Sequence, residues 1–445
     1  MNLITRTICM SLVGISFAGQ NAAQASEFTV SEDLNISTLT EAQTAASWGD
    51  QVSGQVNDAS GNPVKNVEVV CNGKVLKTNA DGRFLILTVS GSEPIVVKKA
   101  GYRKVSLAPQ AGVLNVTLKR AEVRSLYLQP GYLKSGNAIF TNEMNLASQT
   151  ELNAVTVDFK TDDGAIVQGL KPYIEMLHAK HVYAIARVVA FKDTRTVNQH
   201  PDWAITGLDG KPWRNKKGLT FLNPFNKDAQ AYLISVAEAA VAAGFDEVQY
   251  DYVRFPDQSN VATTALWKDT NGNAFPYNAE TRTGAIQKFL ATTKLALDAK
   301  GAFLAADVFG DTAFTQTDSG LGQRIEDIAP YLDYVCPMIY PSGYGTDYDG
   351  ISHPEKHPAA IVGDSMRRYR KRADKTNPDL VIRAWLQAFQ GYVEHTPYGA
   401  AEISAQIDAC KKNGGPSDGG FLLWNAANHY SNAGLSTKDA EDSVL

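Results

Sequence analysis

Residues 247–256 read EVQYDYVRFP, and this stretch carries the pattern that decides the fold. Val248, Tyr250 and Tyr252 alternate with Gln249 and Asp251, and alternation of this kind predicts a β-strand. A helical pattern ends just before the stretch and a proline closes it, so we place Asp251 near the carboxyl end of the strand. An acid within an apolar strand is costly unless it is paired or used. Asp251 is therefore the first candidate for chemistry.

From residue 125 onward, strand and helix patterns alternate, which predicts parallel strands joined by helical crossovers. The predicted strands are residues 125–129, 153–159, 182–190, 247–255, 303–309, 334–339, 381–389 and 420–425. The predicted helices are residues 169–180, 227–243, 282–299, 359–372 and 400–412, and helical patterns are faint after strands five and eight. We therefore predict an α/β fold, a (β/α)8 TIM barrel over residues 124–445. An open doubly wound sheet is the alternative, but no glycine-rich phosphate loop follows the first strand.

A small all-β domain is predicted before the barrel, over residues 50–120. Short alternating strands at 50–56, 66–71, 82–87, 95–99 and 113–118 are separated by turn residues. The order VSGQV, GNPVKNVEV, TNADGRFLI and VVKKAGYRK resembles the carboxypeptidase regulatory-like domain, a prealbumin-like sandwich. The resemblance implies a folding or positioning module, with carbohydrate contact as a lesser role, and it implies no catalytic residue.

The first residues have the pattern of an export signal. Arg6 supplies positive charge, residues 8–17 form a short apolar core, and Ala23 and Ala25 frame a cleavage site. We predict a signal peptide over residues 1–25, a linker over 26–49, and a mature chain that begins at Ser26 in the periplasm or outside the cell. No later run is apolar enough to span a membrane.

Composition narrows the classes of partner. The 445 residues are 44% hydrophobic and 20% charged, with a net charge of −5. Lys and Arg are scattered, so we expect no nucleic-acid partner. After signal cleavage Cys71, Cys336 and Cys410 remain, and their odd number and wide spacing predict buried thiols, with one disulfide pair left open. The oligomeric state cannot be read from the sequence.

Polar and aromatic residues gather where the predicted barrel strands end, which is where barrel enzymes hold their active sites. Acids, arginines, amides and tryptophans around one mouth suit a sugar, because aromatic faces cover a pyranose and polar groups bind its hydroxyls. The candidates besides Asp251 are Asp158, Arg187, Arg254, Asp307, Tyr340, Trp385, Gln387, Trp424 and Asn425.

Six motifs resemble a family of glycoside hydrolase barrels classed as a domain of unknown function. They are NAVTVDFKTDDG, YDYVRFP, AADVFG, CPMIYPSGY, RAWLQAF and GFLLWNA, spread from about residue 124 to near the chain end. The family is similar to retaining α-glycosidase barrels, in which an aspartate that ends strand four is the nucleophile. The resemblance implies that role for Asp251, and it implies a reaction class more firmly than a substrate.

Hydrolysis of a glycosidic bond needs one carboxyl group that donates a proton and one that is ionised. Asp251 is our nucleophile and Asp307 our general acid, because an apolar frame raises a carboxyl pKa. Asp158 is a hydroxyl anchor or the true partner. Arg187 and Arg254 are candidates to keep Asp251 ionised. The aromatic candidates wall the sugar subsite, and retention versus inversion stays open.

Each assignment has a structural alternative. Asp251 could pair with Arg254 at the strand end, Arg187 could be only a counter-ion, and Trp385 and Trp424 could plug the barrel. The whole domain could be a non-catalytic glycan-binding barrel of the cell envelope. A lyase or deacetylase is less favoured because no metal triad is apparent.

We expect no cofactor and no metal. Residues 269–280 follow part of an EF-hand spacing, but Ala274 takes the place of the glycine that the sharp turn needs, and Pro276 interrupts the loop. The histidines show no paired ligand spacing on a helix. The expected partner is a poly- or oligosaccharide substrate.

Overall fold

The computed structural model describes residues 51–86, 93–108, 110, 112–134, 136–258, 260–415, 418, 420–439 and 443–445. The predicted signal peptide and linker lie outside these residues, and the domain boundaries stay predictions. The described residues belong to one compact unit, Gly49–Leu445. None of the helices described is long and apolar enough to cross a membrane.

Eight parallel strands form a closed barrel. They are β1 (Arg124–Leu128), β2 (Ala154–Lys160), β3 (Tyr183–Val189), β4 (Glu247–Asp251), β5 (Phe303–Phe309), β6 (Tyr334–Ile339), β7 (Val381–Ile382 and Ala384–Gln387) and β8 (Phe421–Trp424). Each strand pairs in parallel with the next, and β8 pairs with β1 to close the sheet. Nearly every strand residue is buried, as in parallel sheets covered by helices. The predicted TIM barrel is confirmed.

Helices surround the barrel. They are α1 (Ala138–Gln149), α2 (Lys171–Ala179), α3 (Thr194–Gln199), α4 (Lys227–Ala242), α5 (Val261–Thr264), α6 (Ala279–Asp298), α7 (Ile325–Ile328), α8 (Pro358–Ala373) and α9 (Ala400–Asn413). Helices α2, α4, α6, α8 and α9 lie at or near the predicted residues, whereas α1 and the short helices α3, α5 and α7 were not predicted. The sequence analysis missed α1, whose apolar face is short. Asn137 begins it by accepting hydrogen bonds from the N–H groups of Ile139 and Phe140.

Two strands end two or more residues earlier than predicted. β4 ends at Asp251 instead of continuing to residue 255, because Tyr252 has a φ of 51° and turns the chain out of the sheet. A positive φ is uncommon for a residue with a side chain, and it is often found at functional sites. β7 has two segments and ends at Gln387, two residues earlier than predicted.

Two four-stranded sheets precede the barrel. One contains Val52–Asp58, Arg83–Ile86, Gly112–Val113 and Val116–Leu118, and the other contains Glu68–Cys71, Lys74–Lys77, Ile95–Lys98 and Val105–Leu107. Alternate apolar residues of both sheets, among them Val52, Val69, Phe84, Val97 and Leu118, form one buried cluster. The likeness to the carboxypeptidase regulatory-like sandwich stays a prediction.

A buried charge cluster joins these sheets to the barrel. Lys98 is fully buried, and its Nζ lies 2.7 Å from the carboxylate of Glu68 and 2.6 Å from that of Asp298. It also donates a hydrogen bond of 2.8 Å to the carbonyl oxygen of Ala302. Asp298 ends α6 and Ala302 precedes β5. The contact therefore lies at the amino-terminal end of the barrel strands.

The three cysteines Cys71, Cys336 and Cys410 are buried and free, so the predicted buried thiols are confirmed. Burial raises the pKa of the Cys410 thiol to about 12. A thiol with so high a pKa remains protonated and unreactive at neutral pH.

We predict that Lys98→Met lowers the free energy of unfolding by about 3 kcal/mol, because Glu68 and Asp298 lose the fully buried one of the two lysines that they share and keep only Lys294 in common. Urea unfolding monitored by circular dichroism measures the change. Lys77→Ala is the matched control, since Lys77 lies 3.6 Å from the same Glu68 but its side chain is 60% exposed. The control should cost at most about 1 kcal/mol. Equal losses in the two variants would contradict a buried cluster that stabilises the contact.

Candidate active site

A cavity of about 610 Å³ opens where the barrel strands end. Its volume falls within the range of roughly 300–1,000 Å³ that is typical of ligand pockets. Eight of the ten candidates named from the sequence line it, including Asp251 and Asp307. The full lining is Tyr127, Gln129, Asp158, Thr161, Asp162, Asp163, Arg187, Asp251, Tyr252, Arg254, Asp257, Asp307, Phe309, Met338, Tyr340, Trp385, Trp424 and Ala426.

Arg187 on β3 connects the acids of the cavity. Its Nε and Nη2 lie 3.0 and 2.5 Å from Oδ2 of Asp251, and its Nη1 lies 2.7 Å from Oδ1 of Asp158. Nη2 also reaches Asp162 at 3.1 Å. Burial disfavours the charged guanidinium, but the carboxylates of Asp158 and Asp251 outweigh that effect and hold the pKa of Arg187 above its ordinary value. The guanidinium is therefore a permanent positive charge beneath the cavity.

Both oxygens of Asp251 have protein donors. Arg187 binds Oδ2, and the backbone N–H of Tyr252 donates a hydrogen bond of 2.6 Å to Oδ1. Tyr252, whose backbone is left-handed, is therefore the same residue that donates its N–H to the candidate nucleophile Asp251. The Tyr252 ring lies 4.3 Å from Nζ of Lys192 and 4.8 Å from the guanidinium carbon of Arg254. Asp251 is therefore held in one orientation beside a buried cation.

Asp307 on β5 has a different environment. It is 1% exposed, and its Oδ1 accepts hydrogen bonds from Nε2 of Gln249 at 2.6 Å and Nε1 of Trp385 at 2.8 Å. Within the described part of the chain, no lysine or arginine nitrogen lies within 4.0 Å of its carboxyl group. Burial, followed by the nearby charge of Asp251, raises the pKa of Asp307 well above its ordinary value. The environment of Asp307 therefore favours its protonated form, whereas Asp251 is paired with a cation.

Asp158 on β2 is an anchor within the cavity wall. Its Oδ1 binds Arg187, and its Oδ2 accepts a hydrogen bond of 2.7 Å from the hydroxyl of Tyr127. The Tyr127 ring stacks on Trp424 with centroids 4.3 Å apart. The sequence analysis missed Tyr127, although its position near the end of β1 was a usable signal. Asp158 therefore positions both the Tyr127 ring, which backs Trp424, and the Arg187 guanidinium.

Arg254 does not bind Asp251, so neither its predicted help in keeping Asp251 ionised nor the alternative Asp251–Arg254 pair is present. Its Nη1 donates a hydrogen bond of 3.0 Å to the carbonyl oxygen of Phe255, and its Nη2 lies 3.5 Å from Asp257. Its guanidinium carbon lies 4.6 Å from the centre of the Phe309 ring. These contacts follow from the end of β4 at Asp251, which directs Arg254 away from that carboxylate.

Trp385 contributes to the cavity mainly through its indole nitrogen. Its side chain is 1% exposed, its Nε1 donates to Asp307, and its ring meets Trp424 edge to face at 5.5 Å. Trp424 is only partly buried, so it keeps a ring face toward the cavity. Tyr340 also lines the cavity, from the turn after β6. Trp385 therefore positions the acid, whereas Trp424 is the better sugar-stacking surface.

Gln387 and Asn425 are not among the residues that line the cavity, and their assignment as substrate-binding residues stays a prediction. The Gln387 amide donates to Oγ of Ser342 at 2.7 Å and accepts from its N–H at 3.1 Å. The Asn425 amide donates to the carbonyl oxygens of Ala388 at 2.7 Å and His429 at 3.0 Å. The Gln387 amide therefore holds the turn after β6, and the Asn425 amide holds the loops after β7 and β8.

The EF-hand-like loop is closed by its own hydrogen bonds. Oδ1 of Asp269 accepts the N–H groups of Asn271 and Asn273, each at 2.9 Å, and Oδ2 accepts the Asn273 amide at 3.1 Å. This is ordinary turn chemistry for Asp and Asn. Over the described residues, no group of three or more His, Cys, Asp or Glu is arranged to hold a metal ion.

Several solved structures are similar to this chain. A hypothetical protein from Ruminiclostridium thermocellum ATCC 27405 is 32% identical, with 41% of this chain and 97% of that one covered and a TM-score of 0.35. The PgaB (BpsB) glycoside hydrolase domain from Bordetella bronchiseptica is 13% identical, with 69% and 95% covered and a TM-score of 0.49. The catalytic domain of beta-amylase from Paenibacillus polymyxa is 11% identical, with 73% and 96% covered and a TM-score of 0.45.

A comparison with curated protein sequences gave no significant match. The model of the family DUF4015, described as "Putative glycosyl hydrolase domain", matches residues 125–430. This span includes all eight barrel strands and the entire lining of the cavity. Because the match covers well over half of the chain, this protein belongs to that glycosyl hydrolase family, and its barrel is the glycosidase domain.

Proposed function

We propose that this protein hydrolyses a glycosidic bond in a poly- or oligosaccharide by a two-carboxyl mechanism. The observation that carries the proposal is the contrast between two acids in one cavity. Asp251 is paired with Arg187, whereas Asp307 is buried, has no lysine or arginine within 4.0 Å among the residues that the structure describes, and has a raised pKa. A glycosidase needs such a pair, one carboxyl group charged and one protonated.

In the proposed reaction, Asp307 donates its proton to the glycosidic oxygen as the bond from that oxygen to the anomeric carbon breaks. The Asp251 carboxylate supplies the electron pair on the other face of the sugar, as the nucleophile in a retaining reaction. A water molecule then releases the sugar and returns the proton to Asp307. Should the enzyme invert instead, Asp251 takes a proton from the attacking water. Arg187 keeps Asp251 ionised in either case.

The charge of the cavity supports a neutral or cationic glycan over a polyanionic one. Six aspartates and two arginines line it, so its field is negative even with Asp307 protonated. Like charges at a binding site disfavour a partner. The partly exposed Trp424, backed by the buried Tyr127, supplies a ring surface for the apolar side of a sugar, and Asp162 and Asp163 supply exposed acceptors for hydroxyl groups.

The mutational test replaces each acid with its isosteric amide. We expect Asp307→Asn and Asp251→Asn to lower kcat/KM by about a hundredfold or more, because each variant loses proton transfer or attack. Glycan panels with product stereochemistry followed by NMR measure the loss and the anomeric outcome. Asp228→Asn, at an exposed position that starts α4, is the control and should retain full activity.

The competing function is a glycan-binding barrel without catalysis. One observation favours it: both oxygens of Asp251 already accept hydrogen bonds, from Arg187 and from the N–H of Tyr252. This function would appear as binding without turnover in the wild-type protein. Binding that survives in both amide variants, together with lost turnover, supports the glycosidase.

The pH dependence tests the acid directly. We expect kcat/KM to fall as the pH rises through the raised pKa of Asp307, because the proton to be donated is lost. With dinitrophenyl glycosides, whose leaving group needs no proton, Asp307→Asn should keep activity and lose this alkaline limb. The folded state also holds this proton at pH values where the unfolded state has released it, so the free energy of unfolding should decrease across that window. A wild-type alkaline limb that persists in Asp307→Asn would identify another acid.

We also propose that the protein is exported, on the basis of Arg6, the apolar residues 8–17 and the Ala23-Gln24-Ala25 site. Amino-terminal sequencing of the protein from a fractionated bacterial host should find Ser26 first, in the periplasm or the medium. Ala25→Arg should block cleavage and leave the longer chain attached to the membrane fraction. An uncleaved wild-type chain in the cytoplasm would contradict export.

A further inference from the structure

Aromatic rings continue outward from the cavity wall along the loop after β7. Tyr340 lines the cavity, and its ring centroid lies 5.7 Å from that of Phe389. The Phe389 centroid lies 6.4 Å from that of Tyr392, and the two rings are parallel to within 1°. Parallel rings at this separation are offset, so each keeps part of its face uncovered. The row therefore extends an aromatic surface beyond the cavity.

Tyr392 is the exposed end of this row. Its side chain is 59% exposed, which places it among the few large apolar or aromatic residues at the described surface. Leu295 on α6 is also exposed, at 73%, but it lies on the outside of the barrel and is not connected to the cavity by ring contacts. Tyr392, by contrast, contacts Phe389, and Phe389 contacts the cavity-lining Tyr340.

The loop that carries Tyr392 is held rigidly from below. Glu355 is fully buried, and its carboxylate accepts the backbone N–H groups of Val393 at 2.9 Å, Glu394 at 3.1 Å and Thr396 at 2.8 Å. The chain passes so close to it that a Cβ at Gly391 would lie 2.0 Å from Oε1 of Glu355. A buried carboxylate costs stability unless such donors satisfy it. These hydrogen bonds to Glu355 therefore fix the backbone of the loop that carries the exposed Tyr392 ring.

We propose that Phe389 and Tyr392 form a sugar-binding platform for a further pyranose unit of the glycan chain whose scissile bond lies in the cavity. The platform rests on the proposed function and specifies its substrate as a chain long enough to leave the cavity. We assign the platform to the same glycan chain that the cavity binds, because the rings run without a break from the cavity wall to the surface. A tyrosine ring covers the apolar face of a pyranose and binds it best when it is already fixed in place.

The test compares substrates of increasing length in the full mature protein. Cello-, malto- and chito-oligosaccharides serve as probes, with kcat/KM measured for each length. Tyr392→Ala should lower kcat/KM for the longer chains by about three- to tenfold more than for the shortest, because one ring contact is lost. Tyr392→Phe keeps the ring and should match the wild type, and Leu295→Ala is the control for loss of an exposed apolar side chain.

An equal loss of kcat/KM at all chain lengths in Tyr392→Ala would mean that the ring only supports the loop. No loss of kcat/KM at any length would contradict the proposed platform. Failure of the proposed function looks different, because the wild-type protein would then cleave none of the probes. In that case the same length series, measured as Kd with the Asp307→Asn variant and with Tyr392→Ala added to it, still decides whether the platform binds sugar. Length-independent Kd values would overturn it.

Discussion

The burial of the Arg187 guanidinium inside a closed barrel is the constraint on which the site depends. A buried cation must be compensated, and the carboxylates of Asp158, Asp162 and Asp251 compensate this one from β2, the loop after it, and β4. Removing one of the three carboxylates would weaken this compensation in a region of low dielectric. The acids are therefore held in place by charge balance as much as by packing.

The same arrangement assigns different roles to two similar side chains. Asp251 receives the cation and the N–H of Tyr252, whereas Asp307 receives only the neutral donors of Gln249 and Trp385. Burial disfavours a charge on Asp307, and the neighbouring carboxylate disfavours it further. Position on adjacent strands brings the two acids to one cavity, and the different donors give them different electrostatic environments.

The amino-terminal sheets act at the other end of the barrel. Lys98, Glu68 and Asp298 form a buried cluster there, and the Tyr334 hydroxyl accepts a hydrogen bond from the N–H of Gly101. Inside the barrel near that end, Arg383 pairs with Glu247. Charged contacts thus support the base of the barrel, while the cavity lined by Asp251 and Asp307 opens at the opposite end. A role for these sheets in stability fits this separation better than a role in binding the substrate.

The sequence alone determined the barrel and four of its central polar residues. Periodicity located the strands, and acids or arginines near their carboxyl ends indicated Asp158, Arg187, Asp251 and Asp307, because strand ends converge whenever a parallel sheet closes. Tertiary structure decided the partners: it paired Asp251 with Arg187 instead of Arg254, added Tyr127 and Tyr252, and withdrew Gln387 and Asn425 into loop contacts. These outcomes depend on where β4 and β7 end and on the left-handed backbone of Tyr252. The alternation of residues along a strand does not predict where the strand ends or which backbone conformation follows it, since these features result from contacts between elements distant in sequence.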